Sequence, residues 1–159
     1  MTTLFVRDGG AFRTAKSEEV LECAEATLSR RCRIGSPVLS RPEDVRSYLR
    51  LHLAHLPYEM FGCLYLNSRR RLIAREDLFR GTIDGATVYA REIIRGCIRH
   101  EAAELLLYHN HPSGDPSPSE ADQSMTARIQ EAAHLIDVRV LDHWIVGQTV
   151  ISMAELGMV

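Results

Sequence analysis

The segment that most constrains the fold is "AELLLY", residues 103–108, in which every residue except Glu104 is apolar or aromatic. A strand with one face in water alternates polar and apolar side chains, whereas a strand covered on both faces reads as a continuous apolar run. Segments with helical periodicity stand before and after it, within 81–102 and 119–136. The run therefore predicts a central strand in a sheet that helices cover on both faces.

The other elements fit an α/β (α+β) sandwich with a mixed sheet. The patterns predict a helix over 17–31, with Ser17 as its N-cap, and a second helix from Ser40 or Arg41 to Pro57. Strands are predicted at 60–66 and 71–76 and, with a glycine turn between two of them, in 138–155. The segment 81–102 predicts a glycine-rich loop and then a helix with four inward side chains, Ile93, Ile94, Cys97 and Ile98.

Composition excludes several classes of protein. Hydrophobic residues make up 45% of the 159 residues and charged residues 25%, as in ordinary globular domains. The formal net charge of -2 gives no overall basic field that would attract nucleic acid. The four cysteines form no CxxC pair, and no apolar run reaches the ~18 residues of a membrane span. We expect reduced thiols and a cytoplasmic protein with no membrane partner.

The stretch "YHNHPSGDPSPSEAD", residues 108–122, carries candidate metal ligands. His109 and His111 follow the apolar run, and side chains at i and i+2 of an extended segment point the same way. A Pro/Gly/Ser-rich loop then reverses the chain. Ser117, Pro118 and Glu120 predict a capping box at the start of the next helix, which turns Ser119 and Asp122 back towards the histidines. Asp115, within the loop, is interpreted as a turn residue.

Two imidazoles and one carboxylate form a three-ligand set for zinc, which leaves a fourth position open, as in catalytic sites. We expect one Zn²⁺ per chain at His109, His111 and Asp122. A hydrolase also needs a general base, and Glu59, just before the predicted strand at 60–66, is the candidate among several acids. Ser119 is a candidate donor to a developing oxyanion.

The string His109-x-His111-Pro, six further residues, and Ser119-x-x-Asp122 is similar to the signature of the JAMM/MPN zinc metallopeptidases and isopeptidases. With "LDHWIVG" downstream and "LFRGTIDGATVYAREI" upstream, the chain resembles the bacterial RadC-like branch of that superfamily over roughly residues 42–150. The resemblance implies a three-layer α-β-α, deaminase-like fold. It also implies zinc at the three ligands named above, a catalytic base at Glu59 and oxyanion support from Ser119.

The resemblance also guides the division of the chain. Residues 1–40 are interpreted as an N-terminal helical extension and residues 41–159 as the RadC-like JAMM/MPN domain. The extension shows no helix-hairpin-helix pattern of the kind that ordinary RadC proteins carry, and instead resembles the N-terminal part of short, stand-alone RadC-like proteins. Asp142 and His143 belong to the downstream motif. We favour a buried hydrogen-bonded pair that supports the sheet, with support of the metal ligands as the alternative.

The function that the sequence favours is zinc-dependent hydrolysis of an amide bond in a peptide or protein substrate. One alternative is an accessory protein of DNA repair or recombination with a secondary or vestigial metal site, in which nucleic acid would be a partner. The other is a metal-stabilised interaction module without turnover.

Overall fold

A computed structural model describes residues 3–31, 41–81 and 88–159. Seven strands and four helices lie in these ranges. In chain order they are β1 (Phe5–Asp8), β2 (Ala11–Thr14), α1 (Ser17–Arg31), α2 (Pro42–Leu53), β3 (Met60–Leu66), β4 (Leu72–Arg80), α3 (Ala90–Arg99), β5 (Glu104–Asn110), α4 (Glu120–His134), β6 (Arg139–Val146) and β7 (Val150–Ser152).

The main sheet has five strands in the order β4-β3-β5-β6-β7. The central strand β5 is buried at all seven positions, as its apolar run predicts. It pairs antiparallel with β3 and parallel with β6. The parallel pair requires a crossover, and α4 lies in that connection. The sheet is therefore mixed, and the crossover to β6 begins at the C-terminal end of β5.

Helices cover both faces of this sheet, which gives the three-layer α-β-α arrangement that the sequence predicts. Helix α2 packs on one face through Val45, Leu49 and Leu53, which lie in one core with Leu106 and Tyr108 of β5. On the other face α3 and α4 share a core with the opposite side chains of β5; its members include Ile93, Cys97, Ile129, Ala133, Leu105 and Leu107. Because successive side chains of β5 point to opposite faces, this strand contributes to both cores.

Helix α3 approaches the sheet more closely than its apolar pattern suggests. Ile93, Gly96 and Cys97 face inward, and a Cβ built on Gly96 would lie 2.0 Å from the hydroxyl of Tyr65 in β3. Ile98 was expected to face inward, and this is wrong, because it is 63% exposed. At 100° per residue, Ile98 stands about 140° around the helix axis from Ile93.

The segment before the domain is only partly helical. Residues 5–14 form the antiparallel β1–β2 hairpin, and α1 follows over the predicted range. The predicted boundary at residues 40 and 41 stays a prediction, and 32–40, like the glycine-rich segment 82–87, lies outside the described residues. In the described ranges, no helix combines the length and the apolar character needed to cross a membrane.

Candidate metal centre

The two motif histidines lie where β5 ends. His109 is the sixth residue of the strand and is 1% exposed. His111 stands just beyond the strand, and its main-chain N–H donates to Val146 of β6 at 2.8 Å. The strand geometry thus continues through His111, so both rings turn to the same side of the sheet. Their Nε2 atoms are 2.9 Å apart.

The loop that follows is shaped by Asp115, as predicted for a turn residue. Its Oδ1 accepts from the main-chain N–H of Ser117 at 2.9 Å. Gly114 has a φ of +88°, a conformation that favours glycine. The main-chain carbonyl of Asp115 also accepts from Nδ1 of His111 at 2.7 Å. The turn therefore orients one of the two histidines.

Helix α4 begins at Glu120, and its N-cap is Ser119. The predicted capping box of Ser117 and Glu120 is therefore wrong. The main-chain N–H of Asp122 donates to Oγ of Ser119 at 3.1 Å, and the N–H of Ser119 donates to Oδ2 of Asp122 at 2.8 Å. This reciprocal pair is a capping box shifted by two residues. It fixes Asp122 in the first turn, on the side of the histidines.

The three predicted ligands converge on one point. Oδ1 of Asp122 lies 3.2 Å from Nε2 of His109, and Oδ2 lies 3.5 Å from Nε2 of His111. One ligand atom from each residue lies within 4.8 Å of the others. Two imidazole nitrogens and a carboxylate oxygen are donors that zinc accepts, and three protein ligands leave one position for water or substrate.

The remaining ring nitrogens support this assignment. Nδ1 of His111 is occupied by the carbonyl of Asp115, and Nδ1 of His109 lies 2.8 Å from Nε2 of His143. Each ring therefore has only Nε2 left for the shared point. Ligand histidines in metal sites typically use their other nitrogen in this way. The residues present thus fit a zinc ion.

The pKa of His111 is raised above its ordinary value. The hydrogen bond with Asp122 is the main cause, and it outweighs partial burial, which lowers the pKa. The carbonyl of Asp115 and the charges of Asp122 and Glu59 add to the increase. A proton therefore competes with a metal ion for this ring over a wider pH range than for a free histidine.

In contrast to His111, two buried neighbours, Asp122 and His143, have lowered pKa values. Burial raises the pKa of Asp122, but hydrogen bonds with His109 and His111 together outweigh it, so the pKa lies below its ordinary range. Burial lowers the pKa of His143 well below its ordinary value, and the nearby charge of His109 lowers it further. The carboxylate is thus ionised and the buried imidazole neutral at neutral pH.

The candidate base, Glu59, is partly buried at the start of β3. Its carbonyl accepts from the N–H of Gly81 at 2.8 Å, and the N–H of the next residue, Met60, donates to Oδ1 of Asn110 at 2.8 Å. These bonds hold the backbone of Glu59 next to the end of β5, the strand that carries His109. The charge of Glu59 is the smallest of the contributions that raise the pKa of His111, and its role as a base stays a prediction.

Ser119, the candidate oxyanion donor, also lies in the site. Its hydroxyl donates to Oδ2 of Asp122 at 2.6 Å. In this arrangement it holds a ligand carboxylate as well as capping α4. Its oxyanion role stays a prediction.

The interpretation of Asp142 and His143 as a supporting pair is only partly right. The side chain of Asp142 accepts from the main-chain N–H of His143 at 2.7 Å and from Oγ of Ser152 at 2.6 Å, so it does support the sheet. The ring of His143 points to the opposite face and contacts His109. Because adjacent residues of a strand face opposite sides of the sheet, Asp142 and His143 could have been assigned to different roles from the sequence.

Thr126 is the site residue that the sequence interpretation did not single out. It is fully buried, and its Oγ1 lies 2.6 Å from Nδ1 of His143 and 2.6 Å from the carbonyl of Asp122. Its position four residues after Asp122 places it one helical turn further on the same face, which is a usable signal.

The chain is similar to known proteins over most of its length. The family model described as a RadC-like JAB domain matches residues 39–158. A UPF0758 protein of Azotobacter vinelandii is 49% identical over 149 residues, and one of Stutzerimonas stutzeri is 48% identical; each alignment covers 93% of this chain and 66% of the relative. A UPF0758 protein of Thioalkalivibrio sulfidiphilus is 46% identical over 94% of this chain. The chain thus spans about two thirds of the length of these relatives, and it belongs to the RadC-like JAB domain family.

Proposed function

We propose that the protein is a zinc-dependent hydrolase of the JAMM metallopeptidase type that cleaves an amide bond in a peptide or protein. The convergence of three ligand atoms, with the spare nitrogen of each histidine already occupied, carries the proposal. One zinc per chain would be held by His109, His111 and Asp122. Cytoplasmic location is part of the same proposal.

Zinc in such a site supplies a Lewis acid that makes water nucleophilic at neutral pH and polarises an amide carbonyl. The charge of Glu59 contributes to the raised pKa of His111, which supports a position near the site. We propose that its carboxylate accepts a proton from the attacking water and returns it to the leaving amine. A carboxylate in this place is suited to both transfers.

The chain's other residues hold these groups in place. The capping box orients Asp122, and the Asp115 carbonyl fixes the ring of His111. We propose that Ser119 supports the oxyanion. Its hydroxyl would first have to rotate away from Asp122, which accepts its proton in the structure.

The amide hydrolase is favoured over the DNA-related alternative because the chain combines three candidate zinc ligands with a candidate general base, as a hydrolase requires. The formal net charge of -2 supplies no general attraction for phosphate. Linear peptides and side-chain-linked isopeptides present the same amide group, so both belong to the proposed substrate class.

Metal analysis tests the site. The purified protein, equilibrated with zinc and desalted, is expected to hold one zinc per chain, and His109→Ala is expected to hold none. His134→Ala is a suitable control because His134 lies at the far end of α4 and is exposed. Absence of zinc from the unaltered protein under metal-replete conditions would overturn the proposal.

Turnover tests the base. A pool of peptides with linear and lysine-ε-linked amide bonds is incubated with the zinc-loaded protein, and the products are identified by mass spectrometry. Glu59→Gln is expected to keep its zinc and to lose cleavage by at least the ~100-fold typical of general-base catalysis. Glu131→Gln, an exposed position on α4, is the matched control. Full activity in Glu59→Gln would remove Glu59 from the mechanism, and zinc binding without any cleavage would favour the interaction module.

A further inference from the structure

We propose that Thr126 and His143 are positioning residues that fix the proton of His109 on Nδ1, so that Nε2 is the nitrogen presented to the metal position. The inference deepens the proposed function and rests on it, because the tautomer matters only where a metal is bound. It concerns residues that touch ligands without being ligands.

The two residues complete a chain of hydrogen bonds between two metal ligands. Nδ1 of His109 lies 2.8 Å from Nε2 of His143, and Nδ1 of His143 lies 2.6 Å from Oγ1 of Thr126. Oγ1 in turn lies 2.6 Å from the main-chain carbonyl of Asp122. His109 is 1% exposed, and the other two side chains are fully buried, so water does not compete for these bonds.

The carbonyl of Asp122 determines which partner donates in each of these hydrogen bonds. A carbonyl can only accept, so the single hydroxyl proton of Thr126 is donated to Asp122, the usual bond to the residue four positions earlier in a helix. The sulfur of Met153, 3.9 Å away, is a poorer acceptor. Oγ1 must then accept from Nδ1–H of His143.

The protons of the two imidazoles are fixed in turn by this bond. A neutral imidazole carries one N–H, so His143, which donates through Nδ1, accepts at Nε2. His109 then donates through its own Nδ1, and in the neutral ring that binds a metal ion its Nε2 carries the lone pair. If every bond were reversed, Nε2 of His109 would carry a hydrogen directed at His111 and Asp122, where it would block a metal ion.

The two ligand histidines are therefore fixed by different means. His111 donates to the main-chain carbonyl of Asp115, an acceptor that cannot change its role. His109 faces another imidazole, which can either donate or accept, so its tautomer is undetermined without Thr126. Phe61 packs against both rings, with centroid distances of 6.2 Å to His109 and 5.6 Å to His143, and keeps them in contact.

The direct test is the tautomeric state of the metal-free, ¹⁵N-labelled protein, from long-range ¹H–¹⁵N correlation of the histidine rings. The expected result is a proton on Nδ1 of both His109 and His143 and none on Nε2 of His143. A proton on Nε2 of His143 would overturn the inference. Because this measurement needs neither zinc nor turnover, it decides the inference even if the proposed function fails.

A second test measures zinc affinity by competition with a chromogenic chelator. Thr126→Val removes the hydroxyl at nearly constant volume and is expected to weaken zinc binding by about 10- to 100-fold, the range for such supporting contacts. Thr126→Ser restores the hydroxyl and is expected to restore affinity. Ser152→Ala removes another buried hydroxyl, which contacts Asp142 and no ligand, and is expected to leave affinity unchanged.

The outcomes are distinct. If Thr126→Val binds zinc as tightly as the unaltered protein, the positioning role is wrong. If the valine variant fails to fold, the serine variant and the ring spectra of the unaltered protein still decide. If Ser152→Ala weakens zinc binding as much as Thr126→Val, the effect reflects general loss of packing, and the inference is also wrong.

Discussion

Ser119 combines two tasks in one side chain, since it caps α4 and bonds to a ligand carboxylate. We expect Ser119→Ala to lower the free energy of unfolding by about 0.5–2 kcal/mol, because the first turn of α4 loses its cap. Urea unfolding in excess chelator measures this without a contribution from bound metal. Ser117→Ala is the matched control and is expected to change stability by less than about 0.5 kcal/mol. A larger loss in the Ser117 variant would mean that the helix begins where the sequence first indicated.

At the scale of residues, the ligand types and their spacing were predictable, while the cap was not. Ser117 with Glu120 and Ser119 with Asp122 both satisfy the same local pattern, three residues apart. The structure favours the second pair because Asp115 already accepts from the N–H of Ser117, which keeps that residue in the turn. Local sequence cannot rank two equivalent caps.

Among the elements, α3 depends on a glycine. Alanine is the better helix former by about 1 kcal/mol, yet we expect Gly96→Ala to lower the free energy of unfolding by about 1–3 kcal/mol. The added Cβ would overlap the ring of Tyr65, which is fully buried in β3. Arg95→Ala, an exposed position on the same helix, is the control for propensity. Thermal melts of Gly96→Ala alone and combined with Tyr65→Phe should show partial recovery in the double variant, and a stabilised single variant would contradict the close approach.

The same glycine explains why the orientation of α3 was only partly predictable. Periodicity recognises apolar side chains, and Ile93, Ile94, Cys97 and Ile98 formed the apparent face. Glycine carries no such signal, but its small size let Gly96 contact the sheet and turned Ile98 outward. In contrast, β5 was predictable because a strand buried on both faces has no polar face to locate.

For the whole molecule, zinc is expected to stabilise the fold more at pH 8 than at pH 6. The raised pKa of His111 means that a proton occupies its ring at pH 6, and zinc must displace it. In the metal-free protein the sign is opposite: the stabilisation from protonated His111 is complete below the unfolded pKa of about 6.5 and is lost as pH rises through the folded pKa. The two contributions therefore change in opposite directions with pH.

The measurement is the difference in Tm between zinc-saturated and chelator-treated protein at pH 6, 7 and 8. At a free zinc concentration of 100 times Kd the expected gain is about 2.7 kcal/mol. When the pH is lowered at constant free zinc concentration, this gain in the free energy of unfolding should decrease. His109→Ala should show no zinc-dependent difference at any pH. A difference that grows towards pH 6 would show that proton competition at His111 does not control binding.

The ligands and the base reach the site by routes of very different length along the chain. His109, His111 and Asp122 belong to one strand–loop–helix unit, so the loop that a metal would close is short and costs little entropy. Glu59 is placed only when β3 pairs with β5, a contact between segments about 50 residues apart in the sequence. Binding of the proposed metal would therefore be a local folding event, whereas the proposed catalysis requires the complete sheet. A partly folded chain would bind the metal and still lack the hydrolytic activity.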